Sequence, residues 1–292
     1  MEGLSLKNIS KKYGEKKVLN NISMKISQGE IVGLIGRNGA GKTTLLNCIA
    51  GNIFPDSGSI FFEDRDLKEY PNIRKDFGVL IQPSFFEYMN TYDNLCLLQN
   101  AVGIWKKEEI KERIEKVLRI VGLEGKEKKY IRSFSFGMKQ RLGFAQALLN
   151  GNKFMILDEP FVGLDINGRE MVKKYLKELV RETNIGVIFS DHNLDEVKSL
   201  CDRIIVMKNG EKIYDNQLYE EHIYEIELEE VNNELIESIR GIQEEKIKVY
   251  NNIITIKGSR NLNDIIREIS SKGKIIDIRN KENILENMLK ED

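Results

Sequence analysis

The stretch EIVGLIGRNGAGKTTLLNCIAG, residues 30–51, sets three textures side by side. Residues 30–36 form a compact apolar run without period-two alternation, the pattern of a strand buried on both faces of a sheet. Gly36–Thr43, GRNGAGKT, then satisfies the spacing G-x-x-x-x-G-K-[ST]. Leu45, Leu46 and Ile49 follow at helical spacing, and Gly51 supplies a helix stop. Strand, glycine-rich loop and helix in that order is the context in which this spacing holds a polyphosphate. Glycines let the backbone wrap phosphate oxygens, its N–H groups donate to them, and the helix N-terminus adds partial positive charge. Gly36, Asn38, Gly39, Ala40, Gly41, Lys42, Thr43 and Thr44 are therefore the candidate nucleotide contacts. Lys42 offers a point charge to the β and γ phosphates, and Thr43 a hydroxyl to Mg2+. The loop is silent on which nucleotide it takes and on what the energy does.

A phosphate loop needs an acidic partner, and FMILDEP (residues 154–160) provides one. Four apolar residues bury the strand, and Asp158 emerges at its carboxyl end, where parallel sheets bind ligands. Asp158 is thus the candidate Mg2+ ligand, acting through water or from behind the residues that touch the ion. Glu159 stands one residue further on, within reach of a water beside the γ-phosphate. An acidic pair can also simply punctuate a strand at the surface; a phosphate loop in the same chain favours chemistry.

The chain has 292 residues, enough for one large or two ordinary cores. With 45 basic and 46 acidic residues its formal charge is −1, so it lacks the basic surplus that nucleic-acid binding requires. The opening MEGLSLKNIS does not read as a secretory signal. The longest charge-free stretch, Thr43–Pro55, is polar in part and falls short of the roughly 18 apolar residues of a spanning helix. Cys48, Cys96 and Cys201 show no metal or redox spacing and read as reduced, partly buried thiols of a cytosolic protein.

Around the phosphate loop the chain reads as α/β. Residues 4–9, 16–19 and 22–26 are expected as short opening strands, with further strands over 59–63, 77–82, 153–159 and 185–190. Residues 85–150 read as mainly helical; Ile110, Ile114, Val117, Leu118 and Val121 make one apolar stripe. A helix is expected near 168–182, and Asn209–Gly210 between two alternating runs marks a hairpin. After about residue 220 the order strand 223–229, helix 231–240, strands 246–250 and 253–257, helix 261–271, strand 275–279 and a terminal helix fits a split βαβ, ferredoxin-like α+β domain. A charged appendage that covers the first domain is the other reading. The expected boundaries are 1–218 and 219–292.

One helix start remains to be explained. In IRSFSFGMKQRLGFAQALLN, residues 131–150, Met138, Leu142, Ala145 and Leu149 define an apolar face, and Ser135 sits where an N-cap belongs. The helix thus presents an anion-ready end far along the chain from the phosphate loop.

Taken together, these motifs resemble the ATP-binding subunit of an ABC transporter over residues 2–215. YGEKKVL places Tyr13 where that family stacks a ring on adenine, and GVLIQPSFF places Gln82 at the glutamine that contacts Mg2+ or the attacking water. EPFVGLD ends at Asp165 of the D-loop, and FSDHNLDEV puts His192 at the switch histidine of the γ-phosphate. FSFGMKQR is similar to the LSGGQ signature, retaining Ser135, Gly137, Gln140 and Arg141. The resemblance implies a P-loop NTPase fold with an antiparallel β section and a helical subdomain, ATP and Mg2+ as ligands, and hydrolysis through Glu159, His192 and Gln82. It further implies a head-to-tail dimer in which Ser135 and Gly137 meet the ATP of a second copy, and a separate membrane permease at the cytoplasmic face of the membrane.

Two residues depart from the signature. Phe136 replaces the first glycine and Met138 the glutamine. Phe136 is expected to be helical or extended, its ring at the dimer or permease surface. SFGMKQRLG and the small C-terminal domain resemble exporters of the bacitracin and lantibiotic-protection type. Importers, exporters of lipids or small drugs, and ATPases acting on ribosomes or DNA are the competing readings.

Overall fold

A computed structural model describes residues 3–101, 106–217, 223–231, 235, 247–257 and 262–281. The chain divides into two compact units, Met1–Leu218 and Tyr219–Asp292.

The first unit opens with two long antiparallel strands, β1 (Gly3–Tyr13) and β2 (Lys16–Ser27), where three short ones were expected. The polar residues that break the alternation sit in bulges. Asn8 and Asn21 take left-handed backbone (φ 54° and 55°), and Asn8 N–H donates to Ser23 Oγ at 2.9 Å, so pairing resumes on either side. β4 (Ser57–Phe62) and β5 (Arg65–Asp66) complete a four-stranded sheet, order β2-β1-β4-β5.

The second sheet of this unit carries β3 (Ile31–Ile35), β6 (Phe77–Leu80), β7 (Phe154–Asp158), β8 (Gly186–Asp191), β9 (Arg203–Lys208) and β10 (Glu211–Gln217), in the order β10-β9-β3-β8-β7-β6. The pairs from β9 to β6 are parallel, and β10 returns antiparallel through Asn209 (φ 51°) and Gly210 (φ 79°), the doubly left-handed turn that the dipeptide favours. β3 is buried along its whole length, as its unalternating apolar run requires. Between the sheets, Leu4, Ile22, Leu34, Leu45, Phe62, Phe154 and Ile188 belong to one core, with Phe62, Phe77 and Phe154 in mutual ring contact.

The helices of this unit are α1 (Lys42–Ala50), α2 (Thr91–Ala101), α3 (Lys107–Ile120), α4 (Phe136–Asn150), α5 (Ile166–Thr183) and α6 (Leu194–Lys198). The expected helical stretch begins later than residue 85: residues 81–90 are loop, and helix starts at Thr91. Asn94 explains the boundary, since its side chain accepts from Phe86 N–H at 2.9 Å and donates to Phe86 O, holding the loop open. The α3 stripe is buried as expected, Ile110, Ile114, Val117 and Leu118 facing inward with Val121 just beyond.

The second unit pairs β11 (Ile223–Leu228), β12 (Ile247–Tyr250), β13 (Ile253–Lys257) and β14 (Ile275–Lys281) in the order β12-β13-β11-β14, all antiparallel. That order, with α7 (Leu262–Lys272) linking β13 to β14, is the split βαβ arrangement of ferredoxin-like domains. Ile226, Leu228, Leu235, Ile254, Ile256, Ile265 and Ile269 form its own core. Of the expected helix 231–240 only Leu235 is described as helical, and the expected terminal helix lies outside the described residues.

Candidate nucleotide site

Four neighbouring parallel strands, β3, β8, β7 and β6, end at the same edge of the sheet. Cα register aligns Ile35 with Asp191, Asp158 with Ser190, and Leu80 with Leu157. Neighbouring strands lie about 4.8 Å apart. The phosphate loop after β3, His192 after β8, Glu159 after β7 and Gln82 after β6 thus leave adjacent strand ends in one row.

At the phosphate loop, Gly36 touches β9: a Cβ there would meet Met207 O at 2.4 Å. Gly41, at φ 103°, caps α1 without a side-chain bond, and a Cβ on it would lie 2.7 Å from Val18 O. Glycine is the residue that fits both places. Lys42 is buried, its Nζ donating to Gly36 O at 2.6 Å and Arg37 O at 3.3 Å. Burial pushes its ammonium below the ordinary lysine range, while the carboxylates of Glu159, Asp158 and Asp191 oppose that shift. These three acids therefore face the same cation. Thr43 and Thr44 stand in the first turn of α1, Thr43 exposed. Tyr13 is 48% exposed at the end of β1, paired with Lys16, two residues before the Val18 that abuts Gly41.

The acidic end is anchored by a residue that motif reading missed. Ser190 is fully buried, its Oγ donating to Asp158 Oδ1 at 2.5 Å and accepting from Glu159 N–H at 3.1 Å. A hydroxyl at the end of the otherwise apolar run GVIFS was the available signal, since buried polar groups must find partners. Asp191 is likewise buried, its carboxyl pushed up by burial against the opposing Asn193 N–H, which donates to it at 2.8 Å. His192 is exposed; its Nδ1 lies 3.6 Å from Glu159 Oε1 and 3.7 Å from Asp191 Oδ1. Glu159 and Gln82 both hold left-handed backbone (φ 48° and 47°), a conformation that costs a long side chain about 1–2 kcal/mol.

Ser135 caps α4 as expected, its Oγ accepting from Met138 N–H at 3.3 Å. Phe136 is the first helical residue and 64% exposed. Its ring lies across Gly163 of the same chain: a Cβ on Gly163 would meet Phe136 Cδ1 and Cε1 at 2.4 Å. Gly137 packs on the same loop, a Cβ there meeting Gly163 O at 2.5 Å. Among the described residues no hydrogen bond ties Ser135 or Gly137 to the phosphate loop of this chain. Asp165 serves as N-cap of α5, accepting from Gly168 N–H at 2.9 Å, and pairs with Arg141 at 2.9 Å.

The profile of the family described as "ABC transporter" matches residues 19–162. The chain is 37% identical over 218 residues to the methionine import ATP-binding protein MetN of Clostridium tetani, covering 72% of this chain and 67% of that one. The chain belongs to the ABC transporter ATP-binding proteins. This cassette is also 38% identical over 204 residues to the bacitracin transport ATP-binding protein BcrA of Bacillus licheniformis, covering 69% and 65% of the two chains. Among solved structures, the dimeric post-hydrolysis state of the ATP-binding cassette MJ0796, bound to ADP and Pi, superposes with a TM-score of 0.69 at 28% identity, covering 74% of this chain and 99% of that one. The cassette is accordingly an ATPase, the ATP-binding subunit of an ABC transporter.

Proposed function

We propose that this cassette powers export of a peptide antibiotic or drug through a separate membrane permease, hydrolysing ATP at the strand-end row. The carrying observation is that row: a phosphate loop, a carboxylate pair, a histidine and a glutamine on four adjacent parallel strand ends. Tyr13 stacks the adenine, and Gly36, Asn38, Gly39, Ala40, Gly41, Lys42, Thr43 and Thr44 hold the phosphates. Glu159 polarises the attacking water, with His192 and Gln82 positioning it. Phosphoryl transfer needs little beyond positioning and charge neutralisation, which such a cluster supplies.

The donors Thr43, Asp158 and Gln82 are hard oxygens, the set that suits Mg2+, which keeps waters and takes few protein ligands. The anchoring of Asp158 by Ser190 fixes one of those oxygens in advance. When bound, Mg2+ neutralises charge on the transferred phosphoryl group.

Ser135 and Gly137 serve the ATP of a second copy in a head-to-tail dimer. The capped, exposed tip of α4 supports this, as does the likeness to a cassette solved as a dimer. The permease docks on the edge strand β6, where a cleft of about 440 Å³ opens between Arg74, Phe77, Val79, Leu98, Gln146 and Asn150. The cassette thereby works at the cytoplasmic membrane face, and no described helix is long and apolar enough to cross a membrane. Similarity to BcrA, a bacitracin transport protein, supports the peptide-antibiotic substrate, whereas similarity to MetN supports an importer.

Glu159→Gln tests the site: it retains ATP binding, accumulates an ATP-bound dimer on size exclusion and loses turnover. Equal loss of ATP binding contradicts the assigned role. Affinity purification from solubilised membranes tests the direction; a permease without a substrate-binding protein supports export, and recovery of such a protein overturns it.

A further inference from the structure

Gln140 is a polar residue in the buried face of α4, five residues from the tip that carries Ser135. Its Nε2 donates to the backbone carbonyl of Glu159 at 3.2 Å. That carbonyl also accepts from Val162 N–H at 3.2 Å, while Glu159 N–H is held by Ser190. The peptide groups on both sides of Glu159 are thus fixed, and between them the backbone stays left-handed at φ 48°. The direction in which a side chain leaves the backbone follows from that torsion, so the Gln140 bond bears directly on where the carboxylate points.

The same helix grips the loop beyond Glu159 twice more. Arg141 pairs with Asp165 at 2.9 Å, and the Phe136 ring rests on Gly163. With Gly137 packed on Gly163 as well, four residues of α4 join it to residues 159–165 of its own chain.

We propose that Gln140 is a positioning residue for Glu159, and that through it the signature helix tunes the hydrolytic carboxylate of its own chain while its tip serves the ATP of the other. This rests on the reading of Glu159 as the residue that polarises water. When the tip of α4 is drawn onto the partner's nucleotide, the Gln140 bond carries the displacement to the Glu159 backbone, so that completion of one site adjusts the chemistry of the other.

The test uses the full-length chain and two size-matched variants, Gln140→Met and Gln140→Glu. Gln140→Met lowers kcat about tenfold, leaves KM and ATP-driven dimerisation within about twofold, and has no further effect on the residual hydrolysis of Glu159→Gln. Gln140→Glu sets an acceptor against the carbonyl and slows turnover similarly, but recovers relative to wild type as the pH falls and its carboxyl protonates into a donor. Wild-type turnover in Gln140→Met, while Glu159→Gln keeps only residual hydrolysis, overturns the proposal and leaves the reading of Glu159 standing. A kcat loss that multiplies with that of Glu159→Gln overturns it also, as does a parallel fall in dimerisation and unfolding midpoint in both variants, the mark of a packing role alone. Wild-type turnover in Glu159→Gln sinks the reading itself.

Discussion

Ser135 has two jobs that one substitution can separate. As N-cap of α4 its oxygen accepts from Met138 N–H, and as a proposed phosphate ligand its hydroxyl must donate to an anion. Aspartate keeps the first and destroys the second. It caps as well as serine, and its charge suits the positive helix end, so Ser135→Asp leaves the unfolding free energy of the nucleotide-free protein unchanged or raises it by about 0.3–1 kcal/mol. Ser135→Ala, by contrast, removes the cap; at 3.3 Å that bond is long, which puts the cost near the lower end of the usual range, about 0.5–1 kcal/mol. For the dimer the ranking reverses. A charge-assisted contact is worth about 1.5–3 kcal/mol, and a head-to-tail pair has two such sites, so losing both weakens association by about 3–6 kcal/mol, or roughly 10²–10⁴-fold. Ser135→Asp adds repulsion between carboxylate and γ-phosphate to that loss. Urea denaturation reads the first quantity and sedimentation with MgATP in a Glu159→Gln background reads the second. A Ser135→Asp protein that dimerises like its parent refutes the idea that α4 points at a nucleotide.

Four further outcomes follow from the geometry. Gly163→Ala forces a side chain onto φ +72° and into the Phe136 ring, lowering stability by about 1–3 kcal/mol; adding Phe136→Gly recovers the ring's share, and strict additivity in denaturant titrations refutes the contact. Because the pKa of Lys42 is depressed by burial, the unfolded chain binds more protons between that pKa and 10.5, so stability of the nucleotide-free protein rises with pH through this window. ATP affinity falls over the same window as the free protein loses the charge, which calorimetry detects; affinity constant up to pH 10.5 contradicts the assignment of Lys42. Asp165→Asn keeps the α5 cap and loses only an exposed ion pair, costing under about 1 kcal/mol, whereas Asp165→Ala costs about 0.5–2 kcal/mol; equal unfolding midpoints count against the cap. Glu159→Gly abolishes hydrolysis without lowering the unfolding midpoint, since glycine takes the left-handed backbone freely; a clear fall in midpoint shows that the side chain is structural.

Most of the candidate site's placement was legible in the sequence because its motifs are local. The phosphate loop is eight consecutive residues, and the strand end at Asp158 is announced by an apolar run that stops at an acid. The Asn209–Gly210 turn is equally local and took the expected backbone. What escaped reading depends on pairings across the chain. Ser190 reaches Asp158 across 32 residues and Gln140 reaches Glu159 across 19, and neither motif names its partner. Bulges hid the true length of β1 and β2, since a left-handed asparagine shifts the alternation that defines a strand. Phe136 shows a third limit: the sequence leaves its backbone as helical or extended and sets its ring at the dimer or permease surface, whereas it begins α4 and its ring, largely exposed, rests on a loop of its own chain that spacing alone does not identify.

The backbone offers support for the site that is independent of any motif. Among the described residues nine non-glycines hold positive φ. Five are asparagines, which tolerate this conformation, at strand bulges, hairpin turns and the α5 C-cap; Glu63 and Asp64 form the turn between β4 and β5. Gln82 and Glu159 remain, and each follows the end of one of two adjacent parallel strands, β6 and β7. Glycine in either place relieves the torsion, so folding alone gives no reason for a long polar side chain there. Strain of this kind persists where the surrounding structure holds it, and at Glu159 the holders are visible: Ser190 on the N–H, Val162 and Gln140 on the carbonyl. Two of the three side chains proposed to handle the attacking water, Glu159 and Gln82, are thus the two whose backbone torsion local turn chemistry leaves unexplained, which ties their assignment to a conformational cost rather than to the order of letters in the chain.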